Sequence, residues 1–260
     1  MSGDRLTQQW GRGDITLGGW LLSADTLVAA TVGSLGFDYV GIDEQHGAAT
    51  ASTVPDLVAA LGQQTTPVVR VRENNAAVIG RALDAGALGV IVPLVESAEQ
   101  AEAAVTACRY PPRGRRSFGP ARARLVHGAD YGAVADDLVA CIPMIETAAG
   151  LANVEQIMAV PGVDAVYVGP ADLSLSLGLS PLLDHAEAAF TEALTTITAA
   201  ARRHGVVAGV HASARLAHRR LEQGFTMVTV GVDQAVLAAA LSEGLDVARD
   251  AARVLGSDDR

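Results

Sequence analysis

The 260-residue sequence predicts an α/β fold, a single (β/α)8 TIM barrel, on three observations. Short β-branched runs alternate with longer Ala- and Leu-rich stretches of helical periodicity, as a parallel sheet covered by helices requires. Eight such units can be counted, more than an open doubly wound sheet ordinarily carries. The length is that of one barrel, and the whole chain, 1–260, reads as one domain. Half the residues are apolar and 18% are charged, enough to bury a large core.

Strands are expected near 15–22, 37–43, 67–71, 88–93, 140–146, 164–169, 206–210 and 226–231. Several are near-continuous apolar runs such as Val90-Ile91-Val92, the pattern of a strand buried on both faces. Helices are expected over 24–35, 51–63, 75–85, 97–107, 149–159, 184–203, 213–223 and 233–254. One long stretch, roughly 109–136, carries Tyr110-Pro111-Pro112-Arg113-Gly114-Arg115-Arg116 and reads as irregular. A loop of that length would serve as a lid, a binding loop or an interface.

Composition removes several classes of function. A net charge of -10 offers no general positive field, so neither nucleic acid nor an anionic membrane is expected as a partner. An anionic substrate must be held by local cations. Met1 to Gln9 contain no apolar core of a signal peptide, and no run approaches a membrane span, so a cytoplasmic protein is expected. Cys108 and Cys141 lack metal-ligand spacing and suit reduced thiols. There is no G-x-S-x-G elbow, P-loop or dinucleotide fingerprint. The chain has no lysine at all, which excludes any mechanism through a lysine imine.

Barrel chemistry collects where strands end, so polar residues there carry the functional reading. Asp43-Glu44-Gln45-His46, Arg70 to Asn75, Glu146-Thr147 and Gly169-Pro170-Ala171-Asp172 all fall at predicted strand ends. Glu146 and Asp172 could converge on a hard divalent cation; each could equally cap a helix. Gly169 and Pro170 permit a tight turn that would aim the amides of Ala171 and Asp172 at a ligand carboxylate. Arg70 presents a fork suited to an oxyanion or to a structural ion pair. His46 stands where a general acid or base is expected, and His211, also at a strand end, is a minor candidate.

Together these segments resemble the HpcH/HpaI aldolases. The likeness rests on Gly36-Phe37-Asp38-Tyr39-Val40-Gly41-Ile42-Asp43-Glu44-Gln45-His46-Gly47, Val69-Arg70-Val71, Leu83-Asp84-Ala85-Gly86-Ala87, Tyr110 to Arg116, Ile145-Glu146-Thr147 and Val168-Gly169-Pro170-Ala171-Asp172-Leu173-Ser174. The resemblance implies a metal-dependent class II aldolase that cleaves a 4-hydroxy-2-keto acid to pyruvate, or a related keto acid such as hydroxypyruvate, and an aldehyde. It implies magnesium, manganese or cobalt held by Glu146 and Asp172, with Arg70 stabilising the enolate oxygen. His46 would be the acid/base residue, with Asp84 as its partner, supplied by a neighbouring subunit. Gly169, Pro170, Ala171 and Asp172 would bind the substrate. It further implies a hexamer, a trimer of dimers, with an exchanged C-terminal helix. Two departures, Met144 for glutamine and Gln45 for glutamate, leave donor and acceptor open. The rival readings are an acyl-CoA lyase of the citrate lyase β or malyl-CoA lyase type, using Arg113, Arg115 and Arg116 as a nucleotide patch, and a non-catalytic barrel that binds a keto acid.

Overall fold

The computed structural model describes residues 5–257. Eight parallel strands close in sequence order: β1 (Thr16–Leu21), β2 (Tyr39–Asp43), β3 (Thr66–Arg70), β4 (Gly89–Val92), β5 (Ala140–Ile145), β6 (Ala165–Val168), β7 (Val207–His211) and β8 (Met227–Val232). Each predicted strand is present with its ends displaced by at most two residues. The apolar runs were legible because both strand faces are covered, one by the barrel interior and one by helices.

The helices are α1 (Leu6–Gly11), α2 (Thr26–Gly33), α3 (Val54–Leu61), α4 (Ala76–Asp84), α5 (Ala98–Cys108), α6 (Ala121–His127), α7 (Tyr131–Leu138), α8 (Ala148–Ala152), α9 (Val154–Met158), α10 (Pro170–Ser176), α11 (Ala188–His204), α12 (Ala217–Glu222) and α13 (Asp233–Ser257). Side-chain caps fix several starts: Asp25 accepts from the amides of Leu27 and Val28, Asn75 from Ala77 and Val78, and Thr147 from Gly150. Three expectations need correction. The span 149–159 is two short helices broken at Asn153, and α1 and α10 were not anticipated as elements. The stretch 109–136 is not irregular, since it contains α6 and most of α7. Pro120 before α6 and Gly128 after it confine these helices to about two turns, too short to show a period.

That stretch also lies at the end of the barrel away from the strand tips. Arg109 donates to the carbonyl of Val139 at 3.0 Å and to Asp164 at 2.7 Å, residues that immediately precede β5 and β6. It is therefore no lid over the tips. Leu6 of α1 joins the interior cluster, and Trp10 donates to Thr16 at the start of β1, so α1 sits at this same end.

Inside the barrel, large rings pack over glycines on adjacent strands. A Cβ on Gly18 would lie 2.1 Å from the Tyr39 ring, and one on Gly41 would lie 2.3 Å from the Trp20 ring. Gly41→Ala should push Trp20 out of place at a cost of about 1–3 kcal/mol. Thermal unfolding followed by circular dichroism checks this, and an unchanged midpoint would refute the packing argument.

The last helix, α13, departs from a closed barrel's usual arrangement. Along α13, Val236, Leu237, Leu241, Leu245 and Val247 are all exposed. Beside its start lies an apolar groove of about 560 Å³, walled by Leu27, Val28, Val32, Leu35 and Phe37. Among the described residues, no helix is long and apolar enough to cross a membrane.

Candidate active site

The strand tips surround a cavity of about 310 Å³, lined among others by Trp20, Asp43, His46, Arg70, Asp172 and His211. Gly169, Pro170, Ala171 and Met144 also line it. Residues from β1, β2, β3, β5, β6, β7 and β8 or the turns after them thus meet at one mouth, as parallel closure dictates.

Asp43, the last residue of β2, is fully buried and accepts five hydrogen bonds. The Arg70 guanidinium donates from Nε at 2.9 Å and Nη2 at 2.5 Å, the amides of Gln45 and His46 at 3.0 and 3.2 Å, and Trp20 Nε1 at 3.3 Å. Burial alone would raise the Asp43 carboxyl, but the Arg70 bonds and charge override it and hold the group below its ordinary value. Arg70 therefore forms the ion pair that the sequence left as one of two readings. Its Nη1 keeps no acceptor among the described residues, so the fork is held on one side and free on the other. The guanidinium also lies over the Trp20 ring at 5.3 Å. His46 is exposed on the turn after β2, anchored by its own amide on Asp43.

Glu146, the residue after β5, is in the opposite condition. It is buried; Oε1 accepts from the Leu94 amide at 2.8 Å, and Oε2 has no partner among the described residues. Burial pushes its carboxyl up to about 7; Asp172 adds to the rise, while the Leu94 amide and Arg70 oppose it. Leu94 holds φ at 55°, a left-handed conformation rare for leucine, in the turn that presents this amide. Gly169 is required where it stands, because a Cβ there would lie 2.7 Å from Glu146 Oε2. Asp172 sits in the first turn of α10, and the amides of Ala171 and Asp172 have no intrahelical acceptor.

An orphaned buried carboxylate oxygen beside a second carboxylate is the arrangement a hard cation would relieve. Among the described residues no three His, Cys, Asp or Glu side chains converge, so the remaining positions would fall to water and substrate oxygens. Glu146 and Asp172 fit on these terms.

Asp84 does not join this constellation within the chain. It ends α4, at the far end of the barrel, and pairs with the buried guanidinium of Arg116 at 2.8 Å. Arg116 also donates to Tyr131, and Arg113 pairs with Asp137, so this basic stretch serves the far end too. Gln45 does not line the cavity.

Sequence reasoning did not single out Trp20, Tyr167 or Leu94, and underrated His211. Inside the barrel, Tyr39 bonds Thr229 at 2.9 Å, Thr229 bonds Tyr167 at 2.5 Å, and Tyr167 bonds His211 Nδ1 at 3.3 Å. The His211 ring meets Trp20 edge-on at 5.1 Å. Only the position of His211 at a strand end gave a signal; the rings of the interior gave none.

A family model described as HpcH/HpaI aldolase/citrate lyase matches residues 16–240. The chain belongs to this family. A hydroxypyruvate/pyruvate aldolase of Rhizorhabdus wittichii is 39% identical over 245 residues, 92% of this chain and 96% of the relative. A crystal structure of an HpcH/HpaI family protein from Burkholderia cenocepacia is 31% identical, with a TM-score of 0.87 over 94% of this chain and 98% of that one. The citrate lyase β subunit of Mycobacterium tuberculosis, complexed with oxaloacetate and magnesium, is 21% identical with a TM-score of 0.57, covering 85% of this chain and 93% of that one. That last likeness shows the fold alone. As an HpcH/HpaI aldolase-family member the chain is a carbon–carbon lyase.

Burial and the Arg70 charge lower the His211 pKa to about 4, with Asp43 opposing, from an ordinary value of 6.5. Between those values the unfolded chain binds a proton that the folded chain does not. Stability should therefore fall as pH drops from about 6.5 towards 4, by on the order of 2 kcal/mol from this residue. Urea midpoints at pH 7 and 4.5 should differ less in His211→Leu than in the parent. An equal difference in both proteins would rule out a partly buried imidazole held neutral.

Proposed function

We propose that the chain is a divalent-metal-dependent class II aldolase. It reversibly cleaves a 4-hydroxy-2-keto acid to pyruvate, or a related 2-keto acid such as hydroxypyruvate, and an aldehyde. The observation that carries this reading is the buried Glu146 carboxylate with one unpartnered oxygen, set beside Asp172 near the Arg70 guanidinium. The absence of lysine supports it, since an imine cannot act as the electron sink.

Glu146 and Asp172 would hold magnesium, manganese or cobalt, which when bound supplies Lewis-acid polarisation of the keto group. Arg70 donates from Nη1 to the keto oxygen as negative charge develops there, and its fork on Asp43 fixes that donor beforehand. In cleavage the bond between C3 and C4 breaks and its electron pair passes onto the C2 oxygen as an enolate. His46 takes the proton of the C4 hydroxyl, directly or through water, and C4 leaves as the aldehyde. Protonation of the enolate at C3 completes the keto acid. The amides of Ala171 and Asp172, beside Gly169 and Pro170, face the donor carboxylate.

The acyl-CoA reading gains no support, because Arg113, Arg115 and Arg116 are absent from the cavity lining. Pyruvate release from a panel of 4-hydroxy-2-keto acids should stop with EDTA and return with manganese. Arg70→Ala should lower cleavage on the order of 100-fold while manganese binding, read by calorimetry, is retained. Glu146→Gln should lose both. Unchanged turnover in Arg70→Ala, or full manganese affinity in Glu146→Gln, would remove the assigned roles.

We also propose a homohexamer, a trimer of dimers with α13 exchanged between copies. Each chain supports it twice, by an unpacked apolar face on α13 and by an open apolar groove where β8 meets β1. In such an assembly Asp84 of a neighbouring copy would serve His46. A cytoplasmic location belongs to the same proposal, and the buried free thiols Cys108 and Cys141 suit a reducing compartment. Sedimentation should give six chains per particle, and Leu241→Asp should shift the distribution towards smaller species. A parent protein that sediments as a single chain would refute the assembly.

A further inference from the structure

His211 is the polar exception on the wall of the cavity formed by β7, β8 and β1, where its neighbours are Trp20, Leu22 and Val232. Its orientation is fixed from two sides. Nδ1 is committed to the Tyr167 hydroxyl, and the ring edge is seated against Trp20. Running the hydroxyl protons outward uses each once: Tyr39 donates to Thr229, Thr229 to Tyr167, and Tyr167 to Nδ1. The imidazole proton then resides on Nε2, which has no acceptor among the described residues.

The aldolase reading says what that donor meets, and this inference rests on it. The C2 atom of a 2-keto acid is planar, with the keto oxygen, the carboxylate and C3 about 120° apart. With the keto oxygen at Arg70 and the carboxylate at the first turn of α10, C3 is directed to the remaining wall, which holds His211. We infer that His211 is a specificity-determining residue whose Nε2–H donates to a hydroxyl on C3 of the donor, so that this enzyme prefers hydroxypyruvate to pyruvate. Pyruvate, whose C3 is a methyl group, would leave that N–H without a partner on a wall otherwise lined by Trp20, Leu22 and Val232, the situation in which polar sites discriminate most strongly. The ring's neutrality suits a neutral hydroxyl and not a second carboxylate.

The test compares the parent, His211→Phe and His211→Gln with both donors and one aldehyde acceptor, in the presence of manganese. The parent should show the higher kcat/KM with hydroxypyruvate. His211→Phe keeps a ring against Trp20 but removes the N–H, and should lose roughly tenfold with hydroxypyruvate while pyruvate stays within about threefold. His211→Gln restores an N–H donor and should recover most of the preference. Calorimetric titration with each keto acid, without acceptor, should show the same selective loss of affinity. If the parent condenses neither donor, the aldolase reading itself fails. If the parent is active but prefers pyruvate, or if His211→Phe keeps the parent's donor ratio, the role of His211 fails and the aldolase reading stands. Should His211→Phe not fold, His211→Gln decides: a donor ratio equal to the parent's supports the N–H, and loss of preference overturns it.

Discussion

The site depends on the fork between Arg70 and Asp43. A guanidinium at a cavity mouth has a long flexible stem, and holding it in one orientation requires a rigid acceptor. Asp43 supplies that by being fully buried and closed on every side, with five donors from Arg70, Trp20 and two backbone amides. The same carboxylate thereby positions the Arg70 guanidinium, the Trp20 ring beneath it and the turn that carries His46. Buried ion pairs return little net stability once desolvation is counted, so the function of this pair is geometric.

Two buried carboxylates a few strands apart are treated oppositely, and the contrast defines the chemistry. Asp43 has its cation inside the protein and stays charged. Glu146 receives one amide, shares its surroundings with Asp172, and has an oxygen that nothing among the described residues satisfies. Fixed structure maintains this imbalance: the left-handed turn at Leu94 delivers the single donor, and the missing side chain at Gly169 gives Oε2 room. A group so arranged costs stability unless something outside the chain completes it.

Most of the barrel was legible because its strands are apolar on both faces and its helices are capped by Asp25, Asn75 and Thr147. Candidate residues were legible as far as they stand at strand ends, which selected His46, Arg70, Glu146 and Asp172. Depth and distance were not. Trp20, Tyr39, Tyr167 and Thr229 read as ordinary core residues, and only closure of β1 against β8 brings Tyr39 to Thr229 across 190 positions of sequence. Which end of the barrel a segment occupies was equally hidden, since each helix carries the chain back. Asp84 and the arginines of 109–116 share the polarity of strand-end residues, yet they lie at the opposite end, where Arg109 ties the end of α5 to the start of β6 and Arg116 ties the end of α4 to the start of α7.

The unpacked helix and the cavity are not independent. Asp233 opens α13 and accepts the amides of Leu22 at 2.9 Å and Ser23 at 3.0 Å, just past the tip of β1. Leu22 and Val232, on either side of this link, both line the cavity, and Trp20 lines both the cavity and the apolar groove. Trp20 in turn carries Arg70 over its face and His211 at its edge. Whatever covers the apolar face of α13 therefore bears on a helix start that is hydrogen-bonded to the cavity wall. Burying Leu237 and Leu241 would hold the start of α13 in place at Asp233, and through Trp20 that constraint reaches Arg70 and His211 on the cavity wall.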